Sequence, residues 1–295
     1  MALAALESAE VLVAAQPQAP PAASAAVAVA HQARGQDVGV GPEGTAGLRQ
    51  GVAKQRRASV EDEHMRHGRK SRSTLVDGYK RHVLTDLDSG LVPAVGSTPA
   101  DVPEAAVTDD IAADVAAQDT TLVELHTDRA YLAATMVGER GEELAVSCKA
   151  WRARNGGRSA KTDFRIDFDT GQLTCPNDVV MGFEPGRSVH FPTDACAACP
   201  LRVRCTTSST GRSVAIHPDE ALLVELRERQ QTPHGRARLR ERTKAGHSLA
   251  HIGYWQGRRA RSLGPRKNLF GLRRAAVVHN LHVIARQPPG GQQAA

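Results

Sequence analysis

The sequence predicts an α/β fold in which a core is interrupted by a small β-rich cysteine insertion. Three observations predict it. Two β-rich runs and a helical pattern precede a short apolar run that ends near Asp128. A segment of alternating apolar and polar residues follows and contains a CxxC pair. The chain then continues into basic segments with helical apolar spacing, and these two periodicities distinguish strands from helices.

Composition limits the classes of protein to consider. The 295 residues, 41% of them hydrophobic, are enough for one large domain or two small ones. No apolar run reaches the length of a membrane span, and the N-terminus lacks the basic region of a secretory signal. Five cysteines without an export signal indicate a reducing compartment, and hence a cytoplasmic location, with metal binding rather than disulfides.

Residues 1–64 are rich in Ala, Gly, Pro and Gln and have no sustained hydrophobic period. Such a segment buries too little apolar surface to offset the entropy of an ordered chain. We therefore predict a mostly disordered, low-complexity segment, with one short helix over residues 2–15.

Residues 65–143 are predicted to form the N-terminal part of the core. The runs 78–85 and 91–98 are β-rich and are separated by a DLDSG turn, which indicates an antiparallel hairpin. A helix is expected over 101–117, and a buried strand then ends at Asp128. This order is typical of an RNase H-like fold, whose ligands collect at the carboxyl ends of strands. Asp128 is therefore a candidate catalytic residue, although an Asp at a strand end also serves as a cap.

Residues 144–215 are predicted to form the β-rich insertion, which resembles a zinc ribbon. Phe164, Ile166 and Phe168 are expected on one face of a hairpin that turns at 169–171. Four thiolates in this spacing suit tetrahedral zinc, and the candidate ligands are Cys175, Cys196, Cys199 and Cys205. An iron–sulfur cluster and four free cysteines are the alternatives, and Cys148 is expected to be a buried apolar residue.

Residues 216–286 are predicted to be the helical, basic C-terminal part of the core, with a loose tail at 287–295. Between Arg227 and Arg274 there are fourteen Lys or Arg and two acids, a balance of +12, whereas the whole chain carries +6. A basic face on a packed scaffold indicates a phosphate-rich partner, although a solvated charged surface has the same composition. The candidate DNA-binding residues are Arg258, Arg259, Arg261, Arg266, Lys267, Arg273 and Arg274.

The segments 65–105 and 247–284, together with the motif DRAY at 128–131, resemble DDE-type insertion-sequence transposases of the branch with a cysteine-rich insertion. The resemblance implies metal-dependent DNA cleavage and strand transfer by two Mg²⁺ ions that three carboxylates hold. Asp128 matches the second of these acids. The resemblance also implies DNA as partner, a homo-oligomer on DNA, and a nucleoid-associated protein.

Two departures from the family pattern predict a truncated or degenerate copy without catalytic activity. The position of the third acid is Gly246, and no strand before residue 75 suits the first acid. Asp86 and Asp88 are first-acid candidates only in the hairpin turn, and Glu241 would lie roughly 140° from residue 246 on one continuous helix. The alternatives are an active transposase that uses other acids and a non-enzymatic zinc-containing nucleic-acid-binding protein.

Overall fold

The structure is a computed structural model that describes residues 2–16, 18–41, 44–69 and 73–287. It contains two compact units. The first unit combines Met1–Gln118 with Ala245–Ala295, and the second unit is Asp119–Lys244. In the described part of the chain, every helix is too short or too polar to cross a membrane.

The first unit begins with two helices, α1 (Ala2–Ala14) and α2 (Pro21–Asp37). The helix expected over 2–15 is confirmed, but α2 and the hairpin of β1 (Val38–Val40) and β2 (Ala46–Leu48) lie where we predicted disorder. Alanine has the highest helix propensity, which explains why α2 forms although none of its residues is buried. Ion pairs from α2 to α1, His31–Glu10 and Arg34–Glu7, add surface contacts.

The hairpin predicted for the core is confirmed. Strand β3 (Arg66–Arg69), β4 (Leu75–Leu84) and β5 (Ala94–Pro99) form one antiparallel sheet in the order β3-β4-β5. Gly96 in β5 has a steric role, because an added Cβ would lie 2.1 Å from Cγ2 of Val107.

The remaining helices of the first unit pack on this sheet. A 3-10 turn (Glu104–Val107) leads into α3 (Thr108–Ala116), close to the predicted helix over 101–117. Helix α10 (Pro265–Arg286) packs against β5, and α9 (Thr243–Gln256) contributes Ile252 to the same core. The core residues come from the β4–β5 region, α9 and α10, and they are Val92, Val95, Ile252, Leu272, Ala275 and Ala276.

The second unit contains a parallel pair of strands, β6 (Glu124–Thr127) and β7 (Ala145–Cys148). Helix α4 (Thr135–Gly138) lies between them in the chain, and α7 (Glu220–Arg229) and α8 (Pro233–Glu241) follow the cysteine segment. The α/β class is therefore confirmed. The RNase H-like arrangement remains a prediction. Among the strands that the structure describes, β6 pairs with β7 alone, and we had assigned β7 to the insertion. Strands β3–β5 form a separate sheet.

The cysteine segment folds around a core of its own. Strands β8 (Arg165–Asp167), β9 (Gln172–Thr174) and β10 (Val180–Gly182) form an antiparallel sheet, and β11 (Ser188–His190) pairs with β12 (Ser213–Ala215). Helix α5 (Thr193–Ala197) carries Cys196 and α6 (Arg202–Cys205) carries Cys205, and Cys199 lies in the link between them. The core consists of Phe164, Leu173, Val189, Phe191, Val214 and Ile216, whereas Phe168, which we expected beside Phe164, is 42% exposed.

Candidate functional site

Asp128 stands directly after β6, as the sequence predicts, and precedes a short 3-10 helix, Arg129–Tyr131. Its carboxylate is not free, because Arg242, the residue after α8, donates from Nη1 to Oδ2 over 2.7 Å. Partial burial raises the pKa of Asp128, but the hydrogen bond and the charge of Arg242 outweigh it and hold the pKa below its ordinary value. Asp128 is thus a charged group that already has a cationic partner.

A second group of charged residues follows the same strand. Glu124 and His126 share a face of β6 with Asp128 because side chains alternate along a strand. Arg238 of α8 bonds Glu124 and donates to both carboxylate oxygens of Glu241 over 2.9 Å each, and Nε2 of His126 lies 2.9 Å from Glu124. Each of these carboxylates therefore has a protein cation or an imidazole beside it.

Cys148 at the end of β7 is buried, which confirms the prediction of an apolar role. Burial, and after it the charge of Asp128, raises the pKa of the thiol to about 11. The thiolate is the reactive form of cysteine, so this residue is inert at neutral pH.

The other acid positions need one correction. We placed Glu241 away from residue 246 by assuming one continuous helix, but α8 ends at Glu241 and α9 begins at Thr243, so that angle does not apply. Asp86 lies in the β4–β5 turn and accepts from the backbone N–H groups of Asp88 and Ser89, which is a turn-forming role. Gly246 lies in α9, and an added Cβ there meets no atom within 4 Å.

The residues at Asp128 do not fit a Mg²⁺ site as they stand. Within the described ranges, no three His, Cys, Asp or Glu side chains are placed so that they could hold a metal ion. Arg242 and Arg238 supply the positive charge that a divalent ion would otherwise bring to these carboxylates.

The four candidate zinc ligands line one pocket, together with Asn177 and Arg212. Sγ of Cys175 accepts from the backbone N–H of Asn177, and Sγ of Cys196 accepts from that of Arg212. Burial, with the neighbouring cysteines, raises the pKa of Cys205. Four thiols that line one pocket suit a soft cation. Among the described residues, however, these sulfurs do not form a group placed to hold a metal ion.

The seven candidate DNA-binding residues are all exposed. They lie on α10 and on the connector 257–264 between α9 and α10. Two of them contact other side chains: Arg273 pairs with Asp114 at 2.9 Å, and Arg274 lies over the ring of Phe270. The remaining five are Arg258, Arg259, Arg261, Arg266 and Lys267.

The connector is held by residues that the sequence analysis did not single out. Arg81 of β4 donates to the side chain of Gln256 and to the carbonyl of Gly257. The buried Asn268 donates to the carbonyls of Ser262 and Gly264. The bonds of Arg81 join residues 175 and 176 positions apart in the chain, so they leave no local sequence signal.

Comparison with known proteins gives one family match, which covers part of the chain. A family model described as "Transposase DDE domain" matches residues 176–285, which includes Gly246 and the basic segment. No curated protein and no solved structure matches the chain. Since the match covers 110 of 295 residues, Asp128 lies outside it. Over residues 176–285, the chain is similar to the DDE domain of transposases.

Proposed function

We propose that this chain is a DNA-binding member of the transposase family that does not cleave DNA. The observation that carries the proposal is the state of Asp128, whose carboxylate is paired with Arg242 instead of standing open to a metal ion. Two-metal phosphoryl transfer requires several carboxylates that face the ions. The family position of the third acid is glycine in this chain, and by this proposal the first acid is missing.

DNA binding is assigned to the basic surface formed by α10 and the connector. Five exposed cations lie within ten residues there. None of the ion pairs described above joins one of them to an acidic side chain. Their guanidinium and ammonium groups suit phosphates, and neutralised phosphates release counterions. This activity is consistent with a nucleoid-associated protein that assembles as a homo-oligomer on DNA.

The test of binding is the dependence of DNA affinity on salt. Each phosphate contact adds about 0.9 to the negative slope of log affinity against log salt, so Arg258/Arg259/Arg261→Ala should flatten the slope by up to about 2.7. The control is Arg165/Arg187/Arg204→Ala, which removes three exposed arginines of the cysteine segment. A slope that falls only in the control would place DNA on the cysteine segment and support a zinc-containing binding module.

We also propose that Cys175, Cys196, Cys199 and Cys205 bind one structural Zn²⁺. The common pocket and the two backbone N–H bonds to sulfur support this assignment. The ion would tie α5 and α6 to the β9–β10 turn and stabilise the small core. Protein purified without chelators should contain about one equivalent of zinc, and Cys199→Ser should lose it. Less than half an equivalent in the unmodified protein would contradict the proposal.

An active enzyme that uses other acids is the second candidate. The observation that favours it is the placement of Glu124 on the same face of β6 as Asp128, with Glu241 linked to Glu124 through Arg238. By this alternative, DNA or metal displaces the two arginines from the carboxylates. Metal-dependent nicking that is lost in Glu124→Gln would support the alternative over the inactive protein.

A further inference from the structure

Three aromatic side chains are exposed at the two ends of the connector. Tyr254 is 78% exposed, Trp255 41% and Phe270 63%. The chain has only ten aromatic residues of these types, three Tyr, two Trp and five Phe. Apolar rings on a protein surface indicate contact with another molecule when they are grouped. Here three of the ten fall within seventeen residues that also contain five of the candidate DNA-binding cations.

The first aromatic site is the end of α9. The rings of Tyr254 and Trp255 meet edge to face with centroids 5.3 Å apart, and the ring of His282 lies 5.3 Å from that of Trp255. Nε1 of Trp255 donates to His251 over 3.2 Å, which fixes the indole in place while much of its surface stays open. A held, exposed ring is suited to stacking because little conformational entropy is lost when a partner arrives.

The second aromatic site is a hollow at the start of α10 with a volume of about 680 Å³. Leu263, Pro265 and Phe270 supply its apolar surface, and Arg266 and Lys267 supply its charge. This size is within the range of small-molecule sites. An apolar, aromatic floor beside two cations matches a nucleotide, which has a flat base and an adjacent phosphate.

The backbone of the connector, which carries three of the arginines, is held in position. The connector is fixed at its start by Arg81, at its end by Asn268, and by Asp62, which accepts the backbone N–H of Gly264 over 2.9 Å. Arg258, Arg259 and Arg261 therefore extend from an anchored segment and not from a loose tail. Along the chain the cations lie between the two aromatic sites. Proteins that bind single strands combine a basic path with aromatic platforms in the same way.

We propose that this surface binds unpaired nucleotides, with bases stacked on Trp255 and Tyr254 at one end and on Phe270 at the other. The phosphates between them contact the connector arginines. This inference depends on the proposed DNA binding and refines it, because it names the substrate as DNA with a single-stranded or frayed segment. The interior of a duplex presents no base face to the rings, so binding along a duplex uses the cations.

The experiment compares three fluorescent probes: single-stranded oligothymidine, a blunt duplex, and the same duplex with a single-stranded extension. The unmodified protein should bind the extended duplex more tightly than the blunt one. Trp255→Leu and Phe270→Leu should each weaken binding to the single-stranded and extended probes about tenfold, since one base stack is worth about 1–3 kcal/mol. Binding to the blunt duplex and the salt slope should stay unchanged.

The matched control is Phe168→Leu, which removes an exposed ring in the cysteine segment and should change nothing. Equal affinity of the Trp255 and Phe270 variants and the unmodified protein for oligothymidine would overturn the inference. So would ring variants that alter only the oligomeric state, because the rings would then serve a protein interface. Failure of the proposed function looks different, since then no probe would bind with a salt-dependent affinity.

Discussion

At the scale of single residues, Arg242 lowers the pKa of Asp128. The guanidinium offsets the burial that would otherwise raise the pKa of this carboxyl. Arg242→Ala should therefore raise the pKa of Asp128, which a titration of its carboxyl carbon signal by NMR would measure. The control is Arg240→Ala, an exposed arginine of α8 two residues earlier. An unchanged pKa in Arg242→Ala would mean that the ion pair is not formed in solution.

Glu220 is the most buried carboxylate that the structure describes, with 2% exposure. Burial raises its pKa, but Lys161 at 2.6 Å and Arg227 at 2.7 Å outweigh this and lower it. Because the folded pKa is below the unfolded one, the stabilisation is present above the unfolded value and is lost as pH falls through the folded value. This residue links the cysteine segment to α7.

Glu220→Gln should destabilise the second unit by roughly 3 kcal/mol, because two cations lose their buried partner. Chemical denaturation at neutral pH would measure the loss, and the difference between variant and unmodified protein should shrink in acid. Glu225→Gln is the control, since this exposed acid on α7 pairs only with Arg229 at the surface. Equal losses for both variants would show that the buried network contributes nothing specific.

At the scale of elements, sequence patterns predicted the strands and turns that neighbouring residues in the chain determine. The hairpin of β4 and β5, the strand before Asp128 and the β8–β9 turn follow from alternation and turn residues. Helix α2 was missed because low hydrophobicity indicated disorder, whereas alanine propensity favours a helix. The pairing of β6 with β7 joins strands about twenty residues apart, and no period within either strand specifies its neighbour.

The residues of the candidate site were also predicted only in part. The residue types of the basic surface and of the cysteine pocket were evident from composition and spacing. The pairing of Asp128 with Arg242, 114 residues later, depends on how α8 packs on β6 and has no sequence signature. The same holds for Arg81 at the connector.

The connector gives a prediction at this scale. Asn268 is buried and donates to two connector carbonyls at 2.6 and 2.8 Å. Asn268→Ala removes both bonds, and hydrogen exchange of residues 257–264 should become faster while the core of the first unit stays protected. DNA affinity should fall because the arginines lose their fixed spacing. Unchanged exchange would show that the connector is ordered by other contacts.

At the scale of the whole molecule, Gly246 distinguishes this chain from the family pattern. Gly246→Glu introduces a carboxylate at the position that we propose for the third acid, and nothing lies within 4 Å of the added Cβ to oppose it. The variant should bind Mn²⁺ more tightly than the unmodified protein, because carboxylate oxygens suit this ion. Gly246→Ala is the control, because it also stabilises the helix by about 1 kcal/mol but adds no carboxylate. Equal gains in both variants would contradict the assignment of position 246.

The central claim is that this chain, which is similar to a transposase DDE domain over residues 176–285, binds DNA and does not cut it. The most direct measurement incubates the purified full chain with supercoiled plasmid and Mg²⁺ or Mn²⁺, and follows binding and nicking in the same sample. The account predicts a salt-sensitive shift of the plasmid with no conversion to nicked or linear forms. Nicking by the unmodified chain that is lost in Asp128→Asn would contradict it.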